Sequence, residues 1–269
     1  MEKKCYYIFK DTTMSKIDEK FSNGSYLYHY TSIESTCKIL EKRFLLFGEL
    51  KKMNDVNESY RSICYKPEFF SLEDKTNQIL DEYKQISLTQ NGENMGFNIP
   101  AMWGHYANNG YGACLVFDKK KLLENLHNSS LYKEKYGPIK YLPDYNSDIY
   151  LDQKDVEKFF IDHIDKLFFE KSSDWSYEQE YRIVKREGTF LPLGDSLKYI
   201  IVHSTGGQSA FGAFRLNPLK EVCRDYANQV KIIEVGKFLG EELNLRDKNW
   251  DAIWSSKDWN SWKPDIGNR

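Results

Sequence analysis

The segment from Tyr177 to Val184 constrains the fold of this chain most, because its residue types alternate with a period of two. Such alternation predicts a strand whose side chains point in turn to opposite faces of a sheet. One face carries Tyr177, Gln179, Tyr181 and Ile183, and the other carries Glu178, Glu180 and Arg182. The first face suits a protein core. The second places two carboxylates and a guanidinium in one row, roughly 6–7 Å apart at each step.

This row of charges has two interpretations. Like charges at such a spacing repel each other, and the pKa of one carboxylate rises when the site is dry. Arg182 offsets that repulsion, and Trp175 stands two residues before the strand. The pattern therefore suits a carboxylate site mounted on a rigid sheet. The alternative is the solvated outer face of an edge strand, with an ion-pair partner on the neighbouring strand.

The length, charge and aromatic content of the chain limit the classes of protein to which it can belong. The chain has 269 residues, which suits one large domain or two small ones, and its formal net charge is -2. No global basic field attracts the chain to nucleic acid or anionic lipid. Aromatic residues make up 15% of the sequence. Because Tyr and Trp combine apolar area with a polar handle, they support a ligand-binding cleft, although core packing accounts for most aromatic residues.

Cysteine and histidine residues show no metal-binding pattern. The five cysteines form no C-x-x-C pair, and the five histidines form no H-E-x-x-H motif, so we expect free thiols in a reducing compartment and no metal site. The N-terminus lacks the apolar run of a signal peptide, and no stretch approaches the length of a membrane span. We therefore expect a cytoplasmic protein that does not contact a membrane.

An aromatic strand followed at once by a helix is predicted near the start of the chain. Tyr26 to Tyr30 is rich in β-forming residues. Thr31 and Glu34 match a capping box, so the helix should extend from about Ser32 to Lys42. His29 then lies at the end of the strand, a common place for a ligand-contacting residue. The alternative is a histidine held by backbone groups at a turn.

Strand and helix patterns are mixed along the rest of the chain, which predicts an α+β fold. Further strands are predicted at 44–47, 85–89, 113–117, 138–142, 190–193, 198–202 and 230–235. The apolar residues between Asp152 and Lys171 predict the clearest amphipathic helix. Without internal repeats or a linker, residues 1–249 should form a single domain. Residues 250–269 hold four tryptophans and predict a tail packed on the body or on a partner.

An aromatic cluster precedes the predicted strand at 113–117. It comprises Trp103, His105, Tyr106 and Tyr111. Such rings can stack on a flat ligand ring. Equally, Trp103 and Tyr106 are three residues apart, so they can pack a helical turn onto the core.

Three of these pieces, taken in order, resemble a bacterial family recorded as a domain of unknown function. They are YHYTS at Tyr28–Ser32, MWGHYANNGYGACLVFD at Met102–Asp118 and WSYEQEYRIV at Trp175–Val184, with an Asn54-Asp55 turn between the first two. The family pattern is a Tyr/Phe-His-Tyr/Phe-Thr start, an Asn-Asp turn, a Met-Trp-x-x-Tyr segment and a Trp-x-x-E-x-E-Tyr-Arg strand. The resemblance covers about Tyr26 to Ile201 and leaves out the Trp-rich tail.

That family in turn resembles, remotely, the mono-ADP-ribosyltransferases. Those enzymes carry a first-strand His or Arg, a middle aromatic or Ser, and a late-strand Glu. The resemblance implies a mixed or antiparallel split sheet flanked by helices. It also implies NAD as the substrate, an unidentified protein or nucleic-acid acceptor, and no metal.

The same resemblance implies roles for particular residues. The implied catalytic residues are Glu180, Glu178 and His29, and the implied NAD-binding residues are His29, Tyr30, Thr31, Trp103, Tyr106, Tyr111 and Arg182. Glu180 would stabilise the positive charge that develops on the ribose, and Glu178 would orient or deprotonate an acceptor. His29 would contact the ribose on the adenosine side. Arg182 would pair with the diphosphate or lock Glu180 in place.

Three functions are therefore considered. The first is an NAD-dependent ADP-ribosyltransferase or NAD glycohydrolase, such as a bacterial toxin or phage-defence effector. The second is a non-catalytic module that binds and senses a nucleotide or a phage component. The third is a metal-dependent nuclease using Glu178, Glu180 and Asp55. The near-neutral net charge counts against extended phosphate contacts.

Overall fold

A computed structural model describes residues 21–22, 25–53, 55, 63–129, 134–145, 148–186, 188–203, 218–219, 221–223, 230–235 and 242–243. The predicted tail at 250–269 and Asn54 of the predicted turn lie outside these residues. None of the helices in the described ranges is long and apolar enough to span a bilayer.

The described strands and helices are interspersed along the chain. The strands are β1 (Tyr26–Thr31), β2 (Phe44–Leu46), β3 (Gly48–Glu49), β4 (Ile63–Tyr65), β5 (Lys84–Gln90), β6 (Ala113–Asp118), β7 (Lys135–Pro138), β8 (Lys140–Leu142), β9 (Ile149–Leu151), β10 (Glu170–Ser172), β11 (Glu180–Lys185), β12 (Phe190–Pro192), β13 (Leu197–His203), β14 (Lys231–Val235) and β15 (Glu242–Leu243). The α-helices are α1 (Ile33–Lys42), α2 (Glu73–Glu82), α3 (Pro100–Tyr106), α4 (Lys119–Ser129), α5 (Val156–Asp162) and α6 (Ile164–Phe168). Short 3-10 segments span Leu50–Lys52, Pro67–Leu72 and Ser173–Glu178.

One mixed sheet organises the described residues. Its strand order is β15-β14-β13-β6-β1-β5-β11-β7, and β3 also pairs with β5. Strands β13 and β14 are parallel, whereas β1, β5, β6 and β11 pair antiparallel with their neighbours. The mixed sheet and the several helices confirm the predicted α+β class.

Strands β1 and β5 stay together along only part of their lengths. β1 pairs with β6 along its whole length, but its register with β5 ends at Tyr28 and Thr89. Beyond that pair, the described parts of the two strands form no further register pairs. A gap therefore opens with His29 and Tyr30 on one side and Ser87 on the other, and it forms part of a cavity.

Apolar clusters pack on both sides of the sheet. One cluster joins α1 and α4 to the sheet through Leu40, Leu122 and Leu88. A second holds the aromatic side chains Tyr28 and Trp103 between the sheet and α3. Helices α5 and α6 contribute to a third cluster. Because each cluster includes buried strand residues, the strands that border the cavity are held firmly in place.

The predicted start of the first helix is one residue too early. Ser32, not Thr31, caps α1, and its hydroxyl accepts a hydrogen bond from the Ser35 backbone N–H at 3.0 Å. Thr31 instead belongs to β1, where it pairs with Ala113. The capping-box pattern does not distinguish two adjacent hydroxyl residues, and the first of them, Thr31, is part of the sheet.

The long amphipathic helix predicted between Asp152 and Lys171 is wrong in its extent. It is divided at His163, whose backbone φ of -109° and ψ of 12° are not helical. Lys171 belongs to β10, which pairs in parallel with β8. The apolar spacing continues across the break, so periodicity alone did not reveal it.

Candidate functional site

The Glu-x-Glu segment is not the continuous strand that its alternation predicted. The chain leaves a 3-10 segment at Glu178, passes through Gln179 with a left-handed φ of 47°, and enters β11 at Glu180. The Gln179 side chain holds this kink: its Nε2 donates to Gln90 O at 2.9 Å and its Oε1 accepts from Asn94 N at 2.8 Å. These bonds offset the cost of about 1–2 kcal/mol for a left-handed non-glycine residue.

The alternative of a solvated edge strand is also wrong. Strand β11 lies inside the sheet, between β5 and β7. Glu178, Glu180 and Arg182 are all buried. Buried charges need partners, since an isolated ion removed from water is strongly destabilising.

Arg182 is the partner of Glu180. Its Nε and Nη2 donate to the two carboxylate oxygens of Glu180, each at 2.8 Å, and its Nη1 donates to Phe168 O at 2.7 Å. Arg182 is 0% exposed and does not line the cavity. Of the two predicted roles, the structure shows the one in which Arg182 locks Glu180. The guanidinium is not accessible to a diphosphate.

Lys171 is the second buried cation, and no motif in the sequence predicts a role for it. Its Nζ lies 2.8 Å from Glu178 Oε2, 3.6 Å from Glu180 Oε2 and 4.5 Å from the centre of the Trp175 ring. With Arg182, two buried cations therefore balance two buried carboxylates. Lysines are rarely buried, and only its position upstream of the motif marked this one.

The middle motif meets the late motif at Tyr106. The Tyr106 hydroxyl donates to Glu178 Oε1 at 2.6 Å. Next to it on α3, His105 Nδ1 lies 3.1 Å from the Tyr177 hydroxyl. The Met-Trp-x-x-Tyr and Glu-x-Glu segments, separated by about 70 residues in sequence, thus form one hydrogen-bonded unit.

The pKa values of the two carboxyl groups are shifted in opposite directions. Burial would raise the pKa of Glu180, but the charge and hydrogen bonds of Arg182, together with Lys171, lower it to about 2. Burial raises the pKa of Glu178, although Lys171 and Tyr106 partly counteract it. Two neighbouring acids whose environments separate their pKa values are a common basis for dividing acid–base roles.

His29 stands in the gap between β1 and β5. Its ring is half-buried, and Nδ1 lies 3.4 Å from the Ser87 carbonyl oxygen. Burial lowers the pKa of His29, with the Ser87 carbonyl acting in the opposite direction, so the ring is neutral at pH 7. A carbonyl can only accept, so Nδ1 carries the proton and Nε2 is left as an acceptor. The Ser87 side chain also hydrogen-bonds Glu180 and links the two predicted site residues.

A single cavity of about 270 Å³ joins most of the predicted site. Its lining includes His29, Tyr30, Tyr106, Lys171, Glu178 and Glu180. The same lining includes Asp55 and Gln85. An engineered cavity of about 150 Å³ holds one benzene ring, so this one has room for a ring and a sugar.

Four predicted ligand-binding residues, Arg182, Trp103, Tyr111 and Thr31, do not line the cavity. Trp103 is buried, its Nε1 donates to Phe97 O at 2.8 Å, and its ring meets Tyr30 edge-on. Tyr111 is 51% exposed on the surface, and Thr31 is taken up by strand pairing. For Trp103, the structure shows the core-packing alternative rather than the stacking one. No group of three or more His, Cys, Asp or Glu in the described ranges is placed to hold a metal ion.

The fold and the site define an α+β protein in which a charge-balanced pair of acids lies beside an open cavity. Residues 102–183 match the model of a family described as "Protein of unknown function (DUF2971)". The match includes Tyr106 and the Glu-x-Glu segment but spans less than half of the chain, and His29 and Asp55 lie outside it. No curated protein matches the chain.

Proposed function

We propose that this protein cleaves the N-glycosidic bond of NAD, either transferring ADP-ribose to a macromolecule or hydrolysing the nucleotide. The observation that carries the proposal is the common cavity of His29, Tyr106, Glu178 and Glu180. These residues come from β1, α3, the end of the 3-10 segment Ser173–Glu178 and the start of β11, and they occur in the order that the resemblance to ADP-ribosyltransferases implied.

The acid pair suits this chemistry. Breaking the bond between ribose and nicotinamide sends the bonding electrons to nicotinamide and leaves an oxocarbenium-like ribose, as in glycoside hydrolysis. Glu180, whose pKa is about 2, stays negative at physiological pH and supports that positive charge. Glu178, with its raised pKa, takes the proton of the water or acceptor hydroxyl that attacks the ribose.

The size of the cavity supports a particular arrangement of the substrate. Typical ligand sites measure about 300–1,000 Å³, and this cavity of about 270 Å³ lies just below that range. A volume of this size suits one nucleoside portion of NAD, and we propose that the diphosphate and the second nucleoside lie outside the cavity.

The test is NAD turnover by the pure protein, followed by chromatography for free nicotinamide and by labelling of acceptors in cell extract. Glu178→Gln should lower the rate about 10²–10⁴-fold, the usual contribution of a general base. Glu34→Gln is the matched control, because Glu34 is exposed on α1 and pairs with Lys38 one turn along the helix. Absence of turnover with water and with every acceptor in the extract would overturn the proposal.

A second candidate, a non-catalytic module that senses a nucleotide or a phage component, is favoured by one observation. The carboxylate oxygens of both acids already accept hydrogen bonds, those of Glu180 from Arg182 and those of Glu178 from Tyr106 and Lys171. A pure binding site needs no free carboxylate. In that case Glu178→Gln leaves the biological activity intact, and Tyr106→Leu abolishes ligand binding.

A further inference from the structure

We propose that the part of the cavity formed by Asp55 and Gln85 binds a flat ring that carries an NH2 group. This subsite lies in the same cavity as the proposed active site. The inference rests on the proposed function only where it gives the subsite a part in NAD cleavage. If the subsite binds such a ring, the enclosed part of the substrate is a nucleoside whose ring carries an amino or carboxamide group.

Gln85 offers a buried acceptor. Its Nε2 donates to the Met53 sulfur at 3.0 Å. A thioether can only accept, so the amide nitrogen must face the sulfur and the oxygen must face away. Gln85 is 2% exposed, and its Oε1 accepts no hydrogen bond from the described residues. A buried acceptor without a donor destabilises a fold by about 1–3 kcal/mol, and a ligand donor would recover that energy.

Asp55 adds a second acceptor to the same cavity. It is 3% exposed and lies two residues after Met53. An ionised carboxylate only accepts hydrogen bonds. One NH2 group has two N–H donors, which is the number needed to reach both Asp55 and Gln85. A hydroxyl group has one donor, and a carboxylate on the ligand would meet Asp55 with like charge.

The surrounding walls suit a ring. Leu46, Met53 and Ile86 line this cavity, and apolar walls with few polar groups are typical of sites for flat ligands. Gly48 leaves room for the Met53 side chain, because a Cβ there would lie 3.1 Å from the Met53 terminal methyl, which is closer than an ordinary contact. With the acids Glu178 and Glu180 lining the same cavity, a ring near Asp55 leaves its attached sugar room beside them.

The first test measures binding to the wild-type full chain by calorimetry, with two pairs of ligands. Adenosine and inosine differ in an exocyclic amine, and nicotinamide and nicotinic acid differ in a carboxamide. In at least one pair the NH2-bearing member should bind ten-fold or more tightly, because the other member presents oxygen to buried acceptors. The pair that discriminates identifies the source of the NH2 group. Equal binding within both pairs, or no binding of any of the four, would overturn the proposal.

The second test uses variants. Asp55→Asn introduces a donor, so the preference within the discriminating pair should fall at least ten-fold, and Gln85→Leu should weaken the NH2-bearing ligand. Glu34→Gln is the control, because Glu34 is an exposed partner of Lys38 and neither residue lines the cavity, so this variant should change nothing. If a variant does not fold, the wild-type comparison still decides. NAD turnover without any NH2 preference would overturn this inference alone, and a preference without turnover would overturn the proposed function alone.

Discussion

At the scale of single residues, Arg182 should matter most for stability. Arg182→Met leaves the buried carboxylate of Glu180 without its bidentate partner, and breaking one side of a buried pair costs about 3–5 kcal/mol. The double variant Glu180→Leu with Arg182→Met removes both charges and should recover most of that loss. Urea unfolding of the three proteins measures the effect. A double variant no more stable than the single one would contradict this account of the pair.

Glu180 should also make the protein sensitive to acid. Its folded pKa of about 2 lies below the usual value of about 4.3 in an unfolded chain. The resulting stability, on the order of 3 kcal/mol, is present above about pH 5 and is lost as the pH falls toward 2. Glu178 acts in the opposite sense, because its raised pKa favours the folded state at low pH.

Urea unfolding between pH 3 and pH 7 checks both signs. Glu180→Gln should flatten the dependence of stability on pH, because the acid-labile contribution is gone. Glu178→Gln should steepen it, because the opposing contribution is gone. Equal slopes for the two variants would show that the acids do not titrate in opposite directions.

The residues of the site were only partly predictable from the sequence. His29, Tyr106, Glu178 and Glu180 stand in recognisable motifs, and all four line the cavity. Lys171 was missed, since lysine usually lies on the surface, and its position upstream of the motif does not by itself indicate burial. Ser87 and Gln85 were missed as well. Both lie in a strand with an ordinary sequence pattern, and their contacts depend on which strands lie beside it.

At the scale of elements, two glycines around α3 should respond in opposite ways to the same substitution. A Cβ on Gly112 would overlap the Thr31 carbonyl oxygen and lie 2.8 Å from Ala107 Cα, whereas a Cβ on Gly104 would meet nothing within 4 Å. Gly112→Ala should therefore destabilise the protein by about 1–3 kcal/mol. Gly104→Ala, inside a helix, should stabilise it by up to about 1 kcal/mol.

Thermal unfolding of both variants against the wild type tests this pair. The two substitutions add the same atoms, so any general effect of a methyl group cancels in the comparison. Shifts of the melting temperature in the same direction would mean that the strand β1 and the loop before β6 do not approach each other as closely as the structure shows.

Element patterns were predictable where one residue type repeats without interruption. Strands β1 and β6 follow their aromatic and apolar runs to within one residue. The failures are local breaks that leave the pattern intact. His163 divides a helix whose apolar spacing continues, and Gln179 kinks a segment whose alternation continues. Each break depends on tertiary contacts, such as the Gln179 bonds to Asn94, that a local pattern does not contain.

At the scale of the whole molecule, the order of the strands in the sheet could not be predicted from the sequence. The first strand lies in the middle of the sheet, with β6 on one side and β5 on the other. This order brings His29 to within reach of β5 and β5 to the side of β11. The site exists because strands distant in sequence are neighbours, and the gap between β1 and β5 gives it space.

The same topology predicts how the segment at residues 102–183 behaves alone. That segment, which matches the family of unknown function, contains β6 and the first four residues of β11 but lacks β1, β13 and β5. Strand β6 takes both of its sheet neighbours from outside the segment, and β11 takes one. Exposed strand edges and unmatched apolar faces cannot support a cooperative fold, so we expect the isolated segment to be unfolded.

Circular dichroism and NMR chemical-shift dispersion of the 102–183 fragment, beside the full chain, measure this directly. Adding a separate fragment of residues 1–101 should not be enough to restore the fold, because β13 is still absent from β6. Extending the 102–183 fragment to residues 102–269 and mixing it with the 1–101 fragment should restore the fold, since every described pairing of β6 and β11 is then available. A cooperative unfolding transition in the isolated 102–183 fragment would show that the site's acid pair forms without β1 and β5, and that His29 joins a unit already folded.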